Sequence, residues 1–95
     1  MPAYVIADMN VTDPAGYEEY KRLAPPAIAK YGGRYIARAG ETTVLEGDWT
    51  PARLVILEFP SVEKAKAFYD SPEYGVARSA RKGKGKFRLV VTEGL

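Results

Sequence analysis

The sequence predicts an α+β domain in which one antiparallel sheet carries its helices on a single face. Three observations predict it. Residues 3–9, 34–39 and 87–93 each sort their side chains onto two faces at a period of two, as strands do. Leu54, Val55, Ile56 and Leu57 are apolar without interruption, two of them β-branched, and Pro60 closes the run, so they read as a central strand buried on both faces. Between these strands lie two stretches at helical spacing, one opened by Asp13-Pro14 and the other by Ser61. The order is therefore β-α-β-β-α-β, which in a 95-residue chain favours a single domain over residues 1–95.

Each element has its own signal. The first strand places Tyr4, Ile6 and Asp8 on one face and Ala3, Val5, Ala7 and Met9 on the other. Asp8 stands among apolar neighbours, and pairing with Arg34 or Arg38 is favoured over a role as a base. The first helix carries Tyr17, Tyr20, Leu23 and Ala24 as a narrow apolar stripe. Pro25-Pro26 removes two backbone donors, so a kink or a break is expected, with a second short helix over 26–31. Gly32-Gly33 supplies a left-handed stop. The second strand puts Arg34, Ile36 and Arg38 on one face and Tyr35, Ala37 and Ala39 on the other. Gly40 and residues 42–47 read as its bent continuation through a bulge at the glycine. Behind the Ser61 cap, Val62, Ala65, Phe68 and Tyr69 recur at helical spacing, and Ser71-Pro72-Glu73 opens a further short helix to about residue 80. Residues 82–86, Lys-Gly-Lys-Gly-Lys, read as a flexible basic loop before the last strand.

This is the ferredoxin-like βαββαβ arrangement. Two helices can cover only one side of the sheet, yet Tyr4 and Ile6, the two faces of residues 54–57, and Phe87, Leu89 and Val91 against Val90 leave apolar groups on both sides. A two-fold homodimer stacking sheet on sheet is the expected cover for the other.

Composition narrows the chemistry. The chain has no cysteine, which removes disulfides and thiolate chemistry, and no histidine, which removes the commonest general base and the usual imidazole ligand of metals and haem. No metal and no cofactor are expected. Met1 to Met9 lacks a basic start followed by an apolar core, and no apolar run approaches the roughly 20 residues that span a bilayer, so a cytoplasmic protein with no membrane partner is expected. A net charge of +2 is too small to predict nucleic acid. RNA-binding domains share this strand order but stack bases on strand aromatics, which Leu54, Val55, Ile56 and Leu57 do not offer. Arg81 to Lys86 matches no phosphate-binding loop spacing and reads as solvated.

The blocks Tyr31-Gly32-Gly33-Arg34-Tyr35-Ile36-Ala37-Arg38, Leu45-Glu46-Gly47-Asp48-Trp49, Arg53-Leu54-Val55-Ile56-Leu57-Glu58-Phe59-Pro60 and Ala67-Phe68-Tyr69-Asp70-Ser71-Pro72-Glu73-Tyr74 together resemble the DUF1330 family of small bacterial proteins, over nearly the whole chain. The resemblance implies a dimeric α+β barrel and no particular function. The basic, glycine-rich segment at residues 82–86 departs from it.

The candidate site residues are Arg38, Glu46, Trp49, Arg53, Glu58, Tyr69, Tyr74 and Arg78. In one cleft, the arginines would supply forked donors for a carboxylate or phosphate, Trp49 and the tyrosines flat walls, and Glu46 or Glu58 an orienting carboxylate. The competing reading makes them cross-strand ion pairs and interface aromatics. Because no nucleophile–base pair can be assembled without histidine or cysteine, the favoured function is a homodimer that binds a small acidic or aromatic molecule without a catalytic cycle. The alternative is a cofactor-independent monooxygenase or isomerase acting on an aromatic or polyketide-like substrate between helices and sheet. That alternative rests on fold analogy, with Tyr69 or Glu58 as acid or base and Arg38 or Arg78 holding an enolate. A purely structural subunit is the third reading, and an interior cavity too small for a ligand would support it.

Overall fold

The computed structural model describes residues 1–95. In chain order the elements are β1 (Ala3–Val11), α1 (Pro14–Lys30), β2 (Arg34–Arg38), β3 (Leu54–Phe59), α2 (Val62–Tyr69), α3 (Pro72–Arg81) and β4 (Gly85–Glu93). The strands form one sheet in the order β2-β3-β1-β4, every neighbouring pair antiparallel. This is the ferredoxin-like topology. β1 and β3 are the inner strands, and the helices lie on the face presented by Val5, Ala7 and Met9 of β1, Leu57 and Phe59 of β3, and Phe87 and Leu89 of β4. No helix is long and apolar enough to cross a membrane.

Local chemistry starts each helix where the sequence signals it. The Asp13 carboxylate accepts from the Gly16 amide at 3.0 Å, the Ser61 hydroxyl from Lys64 at 3.1 Å and the Ser71 hydroxyl from Tyr74 at 3.1 Å. Gly32, at φ +81°, ends α1, and Gly33 is needed for closeness, since a Cβ there would lie 2.5 Å from the Phe59 ring.

A chain of aromatic rings holds the helices to the sheet. Phe59 meets Phe68 at 5.0 Å between centroids, Phe68 meets Tyr74 at 4.4 Å, Tyr74 meets Tyr20 at 6.1 Å, Tyr20 meets Tyr17 at 5.0 Å and Tyr17 meets Phe87 at 5.9 Å. At the far end of α1, Glu73 accepts from Lys30 at 2.5 Å and from the Tyr31 hydroxyl at 3.0 Å, joining α1 to α3. Lys30 holds the Glu73 carboxyl down to about 2.

Five expectations are corrected. First, α1 runs unbroken through Pro25 and Pro26, because burial of Tyr17, Tyr20, Ala24, Ala27 and Ile28 along one face outweighs the two missing donors. Second, the bulge lies between Tyr35 and Ala37 and not at Gly40, so Arg34 faces the open side opposite Glu58 while Arg38 is turned to the helix side opposite Val55. Third, residues 40–52 form no strand. Ala39, at φ +57°, leaves the sheet, and the segment runs exposed, with Leu45 at 95% exposure. Fourth, β3 is buried on its helix side only, Leu54 and Ile56 being half-buried on the other. Fifth, β4 begins at Gly85, inside the segment expected to be a loop.

Candidate functional site

Between α1 and the sheet lies a small cavity of about 50 Å³ walled by Tyr17, Tyr20, Tyr35 and Tyr74 above Ala7 and Leu57. Its tyrosines are brought together by fold: two from one face of α1, one from β2 and one from α3. The Tyr20 and Tyr74 hydroxyls hydrogen-bond each other at 2.7 Å, so each buried phenol answers the other. Burial, and then the Tyr74 phenol beside it, pushes Tyr20 well above the ordinary tyrosine range, and burial likewise raises Tyr17 and Tyr35. These phenols are neutral donors at physiological pH and not bases.

Lys21, Arg38 and Arg53 also border the cavity. The Arg38 guanidinium stands 4.4 Å from the Tyr35 ring centroid and that of Arg53 5.7 Å from the Tyr17 centroid, both within cation–π range. Neither arginine takes part in any of the six ion pairs of the structure, whereas Lys21 pairs with Glu18 at 3.2 Å. An outer cleft of about 230 Å³ shares Met9, Tyr17, Lys21 and Arg53 with the cavity. Lys21 and Arg53, whose long side chains can rotate, line both spaces. Together the two spaces approach the lower end of the ~300–1,000 Å³ typical of ligand pockets.

The structure divides the eight candidate residues among four places. Arg38, Arg53 and Tyr74 meet at the tyrosine cavity. Tyr69 and Arg78 stack at 4.6 Å on the outer side of α2 and α3. Glu58 pairs with Arg34 at 2.7 Å on the open face of the sheet. Trp49 belongs to the exposed 40–52 segment, as does Glu46, which is also exposed. The Trp49 indole donates to Asp8 at 3.0 Å, joined there by the Ala52 amide at 3.2 Å and Arg88 at 2.9 Å. Asp8 is thus paired as expected, but with Arg88, which the β1–β4 register places directly opposite it, and not with Arg34 or Arg38. The Trp49 bond, reinforced by Arg88, holds its carboxyl below the usual aspartate range. Asp8 is a tether for the segment.

Tyr17, Tyr20, Tyr35 and Lys21 lie outside the site expected from sequence, which places Tyr17 and Tyr20 only in the apolar stripe of α1 and Tyr35 only on a face of β2. The available signal was two tyrosines where a core-facing stripe more often carries leucine: a buried hydroxyl needs a partner, and that partner marks a polar pocket.

By sequence and by fold the chain has relatives. It is similar in structure to RPA0582, a protein of unknown function from Rhodopseudomonas palustris, with TM-score 0.75 and 21% identity over 99% of this chain and 82% of that one. It is also similar to SnoaB, a cofactor-independent oxygenase from Streptomyces nogalater, with TM-score 0.65 and 10% identity over 99% and 93% of the two chains. A dimeric ferredoxin-like protein of unknown function from Jannaschia sp. CCS1 aligns with TM-score 0.66 and 11% identity over 99% and 100%. At these identities the likeness concerns the fold. No curated protein matches the chain by sequence. Residues 2–95 match the family described as Domain of unknown function DUF1330, and the chain belongs to that family.

Proposed function

We propose that the protein is a cytoplasmic homodimer that binds a small aromatic acid in the cleft leading to the tyrosine cavity and releases it unchanged. One observation carries this reading: two guanidiniums without a carboxylate partner, Arg38 and Arg53, stand at a cavity walled by neutral phenols. The carboxylate is held by Arg53 and Arg38, and the ring lies against Tyr17 and Tyr35. At about 50 Å³ the cavity admits little more than a water or two, which taken alone favours the purely structural reading, so binding requires that the Arg53 and Lys21 side chains swing outward to let the ring enter. The proposal of a dimer is supported by the apolar open face, where Val90 is 62% exposed, and by the dimeric state of the Jannaschia protein of the same fold. Calorimetric titration with benzoate is expected to show one site per chain, weakened at least about tenfold by Arg53→Ala, with benzyl alcohol failing to bind. Benzoate that does not bind, or binds equally to the variant, overturns the reading.

The alternative, a cofactor-independent oxygenase, is supported by the shared fold with SnoaB. Against it stands the site's own chemistry: Tyr17, Tyr20 and Tyr35 are phenols with raised pKa, and the one carboxylate of the adjoining cleft, Glu18, is paired with Lys21. Incubation with catechol or hydroquinone in air separates the two: protein-dependent oxygen uptake favours the oxygenase, and no acceleration over the buffer blank favours binding.

A further inference from the structure

A second constellation lies on α3, where Arg81 and Arg78 stand against Tyr20 and Tyr74, at 5.4 and 6.0 Å from the ring centroids, without lining the tyrosine cavity themselves. Arg81, the last residue of α3, is only 8% exposed. Its guanidinium carbon lies 4.4 Å from the Phe87 ring centroid and 5.4 Å from that of Tyr20, its Nε is buried without a hydrogen-bond partner, and it joins no ion pair. Arg78, one turn earlier, repeats the pattern: its Nε is buried and unpartnered, and its guanidinium rests 4.6 Å from the Tyr69 centroid. Aromatic faces and the negative end of α3 favour two cations here, but neither supplies an acceptor for the buried N–H groups. A buried guanidinium with an unmet donor is costly, and two like charges three residues apart add to the cost.

Two grooves meet at Arg81. One, of about 660 Å³, runs between α2 and β4 over Phe68, Phe87, Leu89 and Val91, its lining also including one carboxylate, Asp70, and two further cations, Lys66 and Arg88. The other, of about 610 Å³, is bordered by Arg78, Arg81 and Lys82 and has no aspartate or glutamate in its lining. An apolar trough thus ends at a cluster of cations.

We propose that this junction is a second binding site, for a small molecule with an apolar body and an anionic head, the head taken by Arg81 and Arg78 and the body lying in the α2–β4 trough. The head is a carboxylate or a phosphate, both of which match the guanidinium fork. This site does not depend on the tyrosine cleft.

The test is calorimetric titration with octanoate, octyl phosphate and 1-octanol. At least one of the two anions is expected to bind at one site per chain, and at least about tenfold more tightly than the alcohol. The better-binding anion identifies the head group. Arg81→Gln and Arg78→Gln are each expected to weaken that binding at least about tenfold, whereas Arg53→Ala leaves it unchanged. Because Arg81 is buried, its variant is first checked for native circular dichroism, and the half-buried Arg78→Gln variant decides if that check fails. The proposal is overturned if neither anion binds, if octanol binds as well as the anions, if Arg78→Gln binds like the parent, or if Arg53→Ala is the variant that loses binding. The last result would place the anion in the tyrosine cleft.

Discussion

On the helix side of the sheet Val5, Leu57 and Phe59 are almost fully buried, whereas on the opposite side Ile6, Leu54 and Ile56 are half-buried and Val90 is 62% exposed. Both sides are written by the same alternation along the same strands. What differs is the cover, and with it the treatment of charge. The sheet arginines of the open face are neutralised locally, Arg34 by Glu58 and Arg88 by Asp8. Around the helix-side cavities, Arg38, Arg53, Arg78 and Arg81 have no carboxylate partner. An apolar face with its charges paired suits burial against a second copy, and unpaired guanidiniums beside cavities suit anions.

The contrast can be broken from either side. Phe68→Ala opens a void between Phe59 and Tyr74 at a position 1% exposed, and a loss of about 3–5 kcal/mol is expected in urea denaturation. A loss below about 1 kcal/mol would mean that the aromatic chain does not hold the helices down. Val90→Glu places a charge on the apolar open face that the proposed dimer would bury. It is expected to cost about 3 kcal/mol of association, roughly a hundredfold in dissociation constant by sedimentation equilibrium, while the far-ultraviolet circular dichroism stays native.

Asp8→Asn sharpens the open side, because it leaves Arg88 without its counter-charge and weakens the hold on Trp49. A loss of about 1–3 kcal/mol is expected near neutral pH. The pH dependence has a definite sign. The folded-state pKa of Asp8 lies below its unfolded value of ~3.9, so its contribution is fully present above that value and is lost as pH falls through the folded pKa. The difference between parent and variant should therefore shrink on acidification below about pH 4, and a difference that grows there would contradict the tether. Tyr74→Phe is the smallest change, removing one partner of the 2.7 Å hydroxyl pair with Tyr20 at a cost of about 1 kcal/mol. No measurable change by thermal denaturation would mean that the pair is not formed.

The local signals were legible in the sequence. Asp13, Ser61 and Ser71 cap helices through bonds spanning three residues, and the strands are visible in their own alternation. What was not legible depends on distant partners. Residues 42–47 alternate like a strand but find no strand to pair with. Pro25 and Pro26 would end an isolated helix, yet packing of Ala24, Ala27 and Ile28 carries α1 through them. The irregularity at Ile36 is a property of the β2–β3 register, and it alone decides that Arg38 joins Arg53 at the cavity while Arg34 faces away. Arg81 looked like the start of a solvated basic run because nothing near it in sequence shows that Tyr20 and Phe87 enclose it.

Native mass spectrometry of the parent and of Val90→Glu, each with and without benzoate, separates an open face that assembles from a helix face that binds. A parent dimer carrying one benzoate per chain and a variant monomer that still carries one are expected. A monomeric parent, or a variant monomer that no longer binds benzoate while Arg53→Ala does, would contradict that division.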